Sequence, residues 1–262
     1  MRTFISVIAA GAACLAGVSH AGLVTSHTDA GGPGATVDGI LGPNEYGPGN
    51  GYAYTGGGSG FGGTLGAATV YMKSDATNLY IGFQPGASLN DLVSIQIDSR
   101  AGGFIDSMMS DNGDGGRRAA TNISVNADDA FPANFLSDFA IVIGSFGIVT
   151  FEHTGGMADF SANFVDYNGT FTGNGTNFRE YTLPLASLGI SSGFNFFASY
   201  SSDSGFSSNE SLPAGAINLG ANPGFDGPSV GYENYHRFNV VPAPASLALL
   251  GLGGLVIARR RR

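Results

Sequence analysis

Thr69-Val70-Tyr71-Met72-Lys73-Ser74-Asp75-Ala76-Thr77-Asn78-Leu79-Tyr80-Ile81-Gly82-Phe83 sets two runs of aliphatic and aromatic residues around a short polar stretch. β-Branched and aromatic side chains suit a pleated, half-buried surface, and Ser-Asp-Ala-Thr suits a turn, so the segment reads as a hairpin. Working outward, Val93-Ser94-Ile95-Gln96-Ile97-Asp98 alternates. That places Val93, Ile95 and Ile97 on one face of a strand and Asp98 on the other. Phe139–Ile143 and Phe146–Phe151 form a second expected hairpin, joined by Gly144-Ser145 in a type II′ turn. Further strands are expected at Phe178–Leu183 and Phe194–Tyr200, and a turn or two of helix at Phe104–Met109 and Pro184–Leu188. The expected fold is all-β, an antiparallel β-sandwich of jelly-roll or Ig-like kind.

Composition agrees. The chain has 262 residues with 43 Gly and 11 Pro, and only 12% are charged. That is half the usual ~25%, which excludes coiled coils and charged helical bundles. Between Gly22 and Asn239 lie all 20 acidic residues and only six basic ones: Lys73, Arg100, Arg117, Arg118, Arg179 and Arg237. Such a surface repels phosphate backbones, so no nucleic-acid partner is expected. The one cysteine, Cys14, falls in the leader, leaving the remainder without thiol chemistry.

Both ends read as segments outside the domain. Met1-Arg2, an apolar run from Phe4 to Val18 and Ser19-His20-Ala21 make a secretory signal peptide over residues 1–21, cut after Ala21. A lipoprotein anchored through Cys14 is the alternative. Val240–Ala258 is uncharged and, as a helix, would extend about 28 Å, close to the ~30 Å hydrocarbon core. Arg259, Arg260, Arg261 and Arg262 follow and should stay cytoplasmic. The expected division is therefore 1–21 signal, 22–239 exported domain, and 240–262 membrane segment with its arginine tail.

Val241-Pro242-Ala243-Pro244-Ala245-Ser246, the apolar span and the arginines resemble the PEP-CTERM sorting segment of bacterial exported proteins. In that family a Pro-Glu-Pro motif is read by a membrane protease, exosortase. Here Pro242, Ala243 and Pro244 stand at the motif, with Ala243 where the family has Glu. The resemblance implies an exosortase-type partner and delivery to the cell surface or extracellular matrix.

A second resemblance spans the domain. Val37-Asp38-Gly39-Ile40-Leu41-Gly42-Pro43-Asn44-Glu45-Tyr46, Asp75–Phe83, Asp91–Asp98 and Glu180–Gly189 are similar, in order, to elements of family-nine-type carbohydrate-binding modules and DOMON-like sandwiches. It implies a β-sandwich and a polysaccharide partner.

Sugar recognition needs aromatic rings beside carboxylates and amides. The chain has no Trp. The candidate rings are Tyr46, Tyr52, Tyr54, Tyr232 and Tyr235, with core packing as the alternative for each. Asp106, Asp111, Asn112 and Asp114 could offer hard oxygen ligands to Ca²⁺, although Ser110 and Thr121 stand where a calcium loop has its first Asp and its bidentate Glu. A solvated turn is the alternative there. His27, His153 and His236 sit in no nucleophile or zinc motif, so no catalytic residue and no other cofactor is expected. The expected function is a non-enzymatic surface protein that binds exopolysaccharide or envelope glycan. A purely structural, self-associating matrix protein is the alternative, and a secreted glycan-active enzyme comes third.

Overall fold

Apolar residues at every second position give each strand one face to bury, and two sheets bury those faces against each other. The computed structural model describes residues 22–55, 62–109, 111, 113–121, 130–154, 161–165, 168–169, 175–218 and 230–241. Among them the strands are β1 (Gly22–Thr28), β2 (Gly51–Ala53), β3 (Thr69–Ser74), β4 (Asn78–Gln84), β5 (Leu92–Asp98), β6 (Phe139–Gly144), β7 (Gly147–Thr154), β8 (Ser161–Val165), β9 (Asn168–Gly169), β10 (Arg179–Pro184), β11 (Phe194–Ser201), β12 (Ser207–Leu212), β13 (Ala216–Asn218), β14 (Val230–Tyr232) and β15 (Asn234–Asn239). One short helix, α1, covers Gly115–Thr121. The chain is all-β.

The smaller sheet runs β2-β3-β4-β10-β9. The larger runs β1-β15-β11-β5-β6-β7-β8, with β12 also beside β11, and β13 pairs with β14 apart from both. Val93, Ile95 and Ile97 of β5 face inward as their alternation requires, with Phe139, Ile141 and Ile143 of β6 and Phe194 and Phe196 of β11. They meet Val70, Met72, Leu79, Ile81 and Phe83 of the smaller sheet. Each such side chain contributes roughly 1.5–3 kcal/mol by leaving water.

Neither outer face is bare. Ala140, Val142 and Phe197 point out of the larger sheet into a second apolar cluster with Ala119 and Ala120 of α1, Phe131, Phe135 and Tyr232. Gln96 and Ser137 under that cover are paired. Gln96 Nε2 donates to the Ala120 carbonyl at 2.7 Å, and the Ser137 hydroxyl donates to Gln96 Oε1 at 2.7 Å. The outer face of the smaller sheet carries the loop between β1 and β2, held by Glu180, whose Oε2 accepts the amides of Asp38 and Gly39 at 3.0 and 2.7 Å.

Three expectations are corrected. The sheets are not wholly antiparallel, because β1 runs parallel to β15. A parallel pair needs a long connection, and nearly the whole domain supplies it. The β6–β7 turn sits one residue further on, at Ser145-Phe146, since Gly144 pairs with Gly147 and Gly147 takes φ 119°. Phe146 is thereby a turn residue, not the first of a strand. Residues Gly115–Thr121, read as part of a calcium-type loop, form α1. The two expected helical turns are single 3₁₀ turns at Asp106–Met108 and Leu185–Leu188.

Register fixes which end of the domain is which. On β11, Phe194 lies opposite Phe238 of β15, while Ser201 at the other end lies opposite Leu92. Chain leaving β15 towards Val240 therefore emerges about 25 Å, the length of β11, from the β11–β12 and β6–β7 turns.

Candidate functional site

Those turns build a cleft. Asp91 before β5, Asp114 to Gly116 at the start of α1, the Ser145-Phe146 turn and Asp203 after β11 line a cavity of about 500 Å³. Phe151 and Leu92 also line it, both buried. The Phe146 ring is 48% exposed. It folds back over Gly144, where a Cβ would stand 2.5 Å from the ring, so only glycine allows that approach.

The three acidic residues are held by separate means. Asp114 Oδ1 accepts the Arg117 amide at 2.8 Å, capping the first turn of α1. The Asp203 carbonyl accepts Arg118 Nε at 3.0 Å and also Arg118 Nη2. Gly115 lets the helix start press on Asp203, since a Cβ there would lie 2.8 Å from the Asp203 Cβ and carbonyl oxygen. Burial and the neighbouring Asp203 charge push the Asp91 carboxyl above its usual range, against hydrogen bonds from the Asp203 amide and the Tyr200 side chain. The arrangement offers acceptors for hydroxyl donors beside one open apolar ring face.

The tyrosines singled out from sequence lie elsewhere. Tyr46, Tyr52 and Tyr232 are buried. Tyr46 packs against Tyr71 and Phe178, Tyr52 against Phe196 and His236, and Tyr232 against Phe197. Tyr54 packs on the central core and Tyr235 on the outer cluster. Their rings thus meet protein and converge on no common surface.

Of the calcium candidates, Asp111 lies 2.8 Å from Arg117 Nη1 and Asp114 lies 3.4 Å from Arg117 Nε. The guanidinium supplies the positive charge between them. Asp106 Oδ1 instead accepts the Phe131 amide at 3.3 Å, and Asn112 lies outside the described residues. Among the described residues no three His, Cys, Asp or Glu side chains are grouped to hold a metal. His153 and His236 are buried. Burial and the Arg100 charge push His153 down to about 3, and burial alone takes His236 to about 4.

Sequence reading named Asp114 for calcium but missed Asp91, Phe146 and Asp203 as a group. They stand in separate turns, and no local spacing joins them. The signal peptide with Ala21, the motif Pro242-Ala243-Pro244, the rest of the expected span to Ala258 and Arg259–Arg262 lie outside the described residues. Val240 and Val241, expected to open the membrane span, are instead held by the domain: Val240 is buried in its core and the Val241 amide donates to Ser74 Oγ. Among the described residues no helix is long and apolar enough to cross a membrane.

No curated protein and no solved structure matches the chain. Residues 240–262 do match the PEP-CTERM protein-sorting motif. That match marks an exported protein, sorted to the cell envelope and processed by an exosortase.

Proposed function

We propose that the chain is a non-enzymatic surface protein, held by its C-terminal segment, whose outward cleft binds neutral polysaccharide of the envelope or matrix. One observation carries the reading: the half-exposed Phe146 ring stands with Asp91, Asp114 and Asp203 at the end of the sheet opposite Val240. With the apolar run that ends at Ala258 in the membrane, that end points away from the cell. A ring face packs on the C–H face of a sugar while carboxylates fix its hydroxyls. The acidic domain favours a neutral polymer over an anionic one. His153 and His236 are packed in the interior, and neither lines the cleft. A glycan array with Gly22–Val241, which contains both apolar clusters, tests the reading. Binding to a neutral polymer that Phe146→Ala abolishes is expected, and hydrolysis of the polymer would make the protein an enzyme.

The self-associating alternative has an observation of its own. β1 is an edge strand without charged residues, and Leu23 and Val24 on it are 49% and 54% exposed. Such edges recruit other strands. Concentration-dependent sedimentation without polysaccharide, lost in Val24→Lys, would favour it.

A further inference from the structure

We propose that a second cleft, at the foot of the domain, seats the chain's own Pro242-Ala243-Pro244, so that the folded domain withholds its sorting motif from the protease. The inference rests on the sorting role of 240–262 and is independent of polysaccharide binding.

The chain is fastened to the fold up to the residue before the motif. Val240 is 4% exposed and its amide donates to the Ser192 carbonyl at 3.2 Å. The Val241 amide donates to Ser74 Oγ at 3.3 Å. The Val241 side chain lies close against Gly31, where a Cβ would stand 3.2 Å from its Cγ2. No linker separates domain from motif.

Both valines line a cavity of about 460 Å³. Clefts of ~300–1,000 Å³ bury small ligands. Its rim is the exposed Ala76, Pro184 and Ala186, with the buried Ile190 beneath, and no charged side chain lines it. Pro242-Ala243-Pro244 suits it chemically. Two prolines fix φ and carry no N–H, so the run enters an apolar cleft pre-extended, with a single amide donor to satisfy.

Ala243 is the residue that permits the seating. A glutamate there, as the sorting family has, would carry its charge into an uncharged cleft, at a desolvation cost. Asp75, which precedes the rim residue Ala76, would add a like charge at that edge. Burial raises the Asp75 carboxyl, but hydrogen bonds from Tyr80, Thr77 and Asn78 outweigh it and hold the group at about 2, hence anionic.

The test uses the full chain in membranes of a host without an exosortase, so the readout does not depend on processing. In a Cys14→Ser background, Ala243→Cys is the sole thiol, and its rate of maleimide labelling is measured. The expected rate is roughly tenfold or more below that of Ala101→Cys in an exposed loop, as for a motif seated about nine-tenths of the time. Ala186→Trp, which fills the cleft from its exposed rim, should restore fast labelling at position 243. Labelling as fast as at position 101 would overturn the proposal. So would slow labelling that Ala186→Trp leaves unchanged, because the bilayer would then be the shield. Neither result bears on whether residues 240–262 are sorted, which cleavage in a host with an exosortase reads separately.

Discussion

Tyr46 donates its hydroxyl to Glu180 Oε1 across 3.0 Å, and both side chains are buried. The bond ties the long loop after β1 to the smaller sheet, alongside the Asp38 and Gly39 amides on the other carboxylate oxygen. Burial raises the Glu180 carboxyl, while these donors act to lower it. Tyr46→Phe removes one donor and should cost about 1 kcal/mol, whereas Glu180→Ala strands three donors and should cost about 3 kcal/mol or more. Urea midpoints at unchanged slope would measure both; equal, negligible losses would show that the loop is not held there.

His153 and His236 make the fold sensitive to acid. Their folded values of about 3 and 4 lie below the unfolded value near 6.5, so between those limits the unfolded chain binds more protons. Stability is then complete above about pH 6.5 and falls as pH drops, by roughly 1.4 kcal/mol per unit for each histidine. Glu180 and Glu210 act in the opposite sense. Burial is the first cause of both raised carboxyls, and they favour the fold as pH falls from their folded values towards the ordinary 4.5. The histidine slope should therefore stand clearest between pH 6.5 and 5.5, as a falling Tm.

His236 lies between Tyr52 and Phe196, at ring distances of 4.8 and 5.5 Å, and among the described residues neither of its nitrogens has a partner. His236→Phe keeps the shape and removes the unsatisfied groups. It should raise stability at pH 7 by about 1 kcal/mol and flatten the acid slope. A lower Tm with the slope intact would place the acid sensitivity elsewhere.

Much of this architecture was legible because it is local. The β3–β4 hairpin, β5 and β6 follow from alternation and from Asp75 in its turn. The rest is written through space. Both Gly144 and Gly147 could serve the β6–β7 turn, and only pairing with the neighbouring strand decides between them. Ser207-Ser208-Asn209-Glu210 of β12 is too polar to read as a strand, yet Glu210 is buried because its carboxylate accepts the Leu65 amide at 2.9 Å. α1 opens on two glycines and reads as a turn. Tyr46 and Tyr52 lie in a Gly-rich stretch that looks exposed until Glu180 and the core claim them. The cleft residues come from four separate turns, and no pattern along the chain announces them.

Gly115 keeps α1 against Asp203. Gly115→Ala would place its Cβ 2.8 Å from Asp203 atoms, most of them backbone or next to it, so the helix start and the Asp203 turn must part. The expected result is a loss of about 1–3 kcal/mol together with weaker polysaccharide binding. Unchanged stability and binding would mean that the close approach is not needed.

The most direct measurement is the mobility of Gly22–Val241 in native gels cast with increasing neutral polysaccharide from the envelope. Retardation that rises with polymer concentration is expected, reduced in Asp91→Asn and absent in Phe146→Ala, whose Tm should move little because the ring is half exposed. Identical mobility of the wild type with and without polymer, or retardation that survives Phe146→Ala, would contradict binding in the cleft.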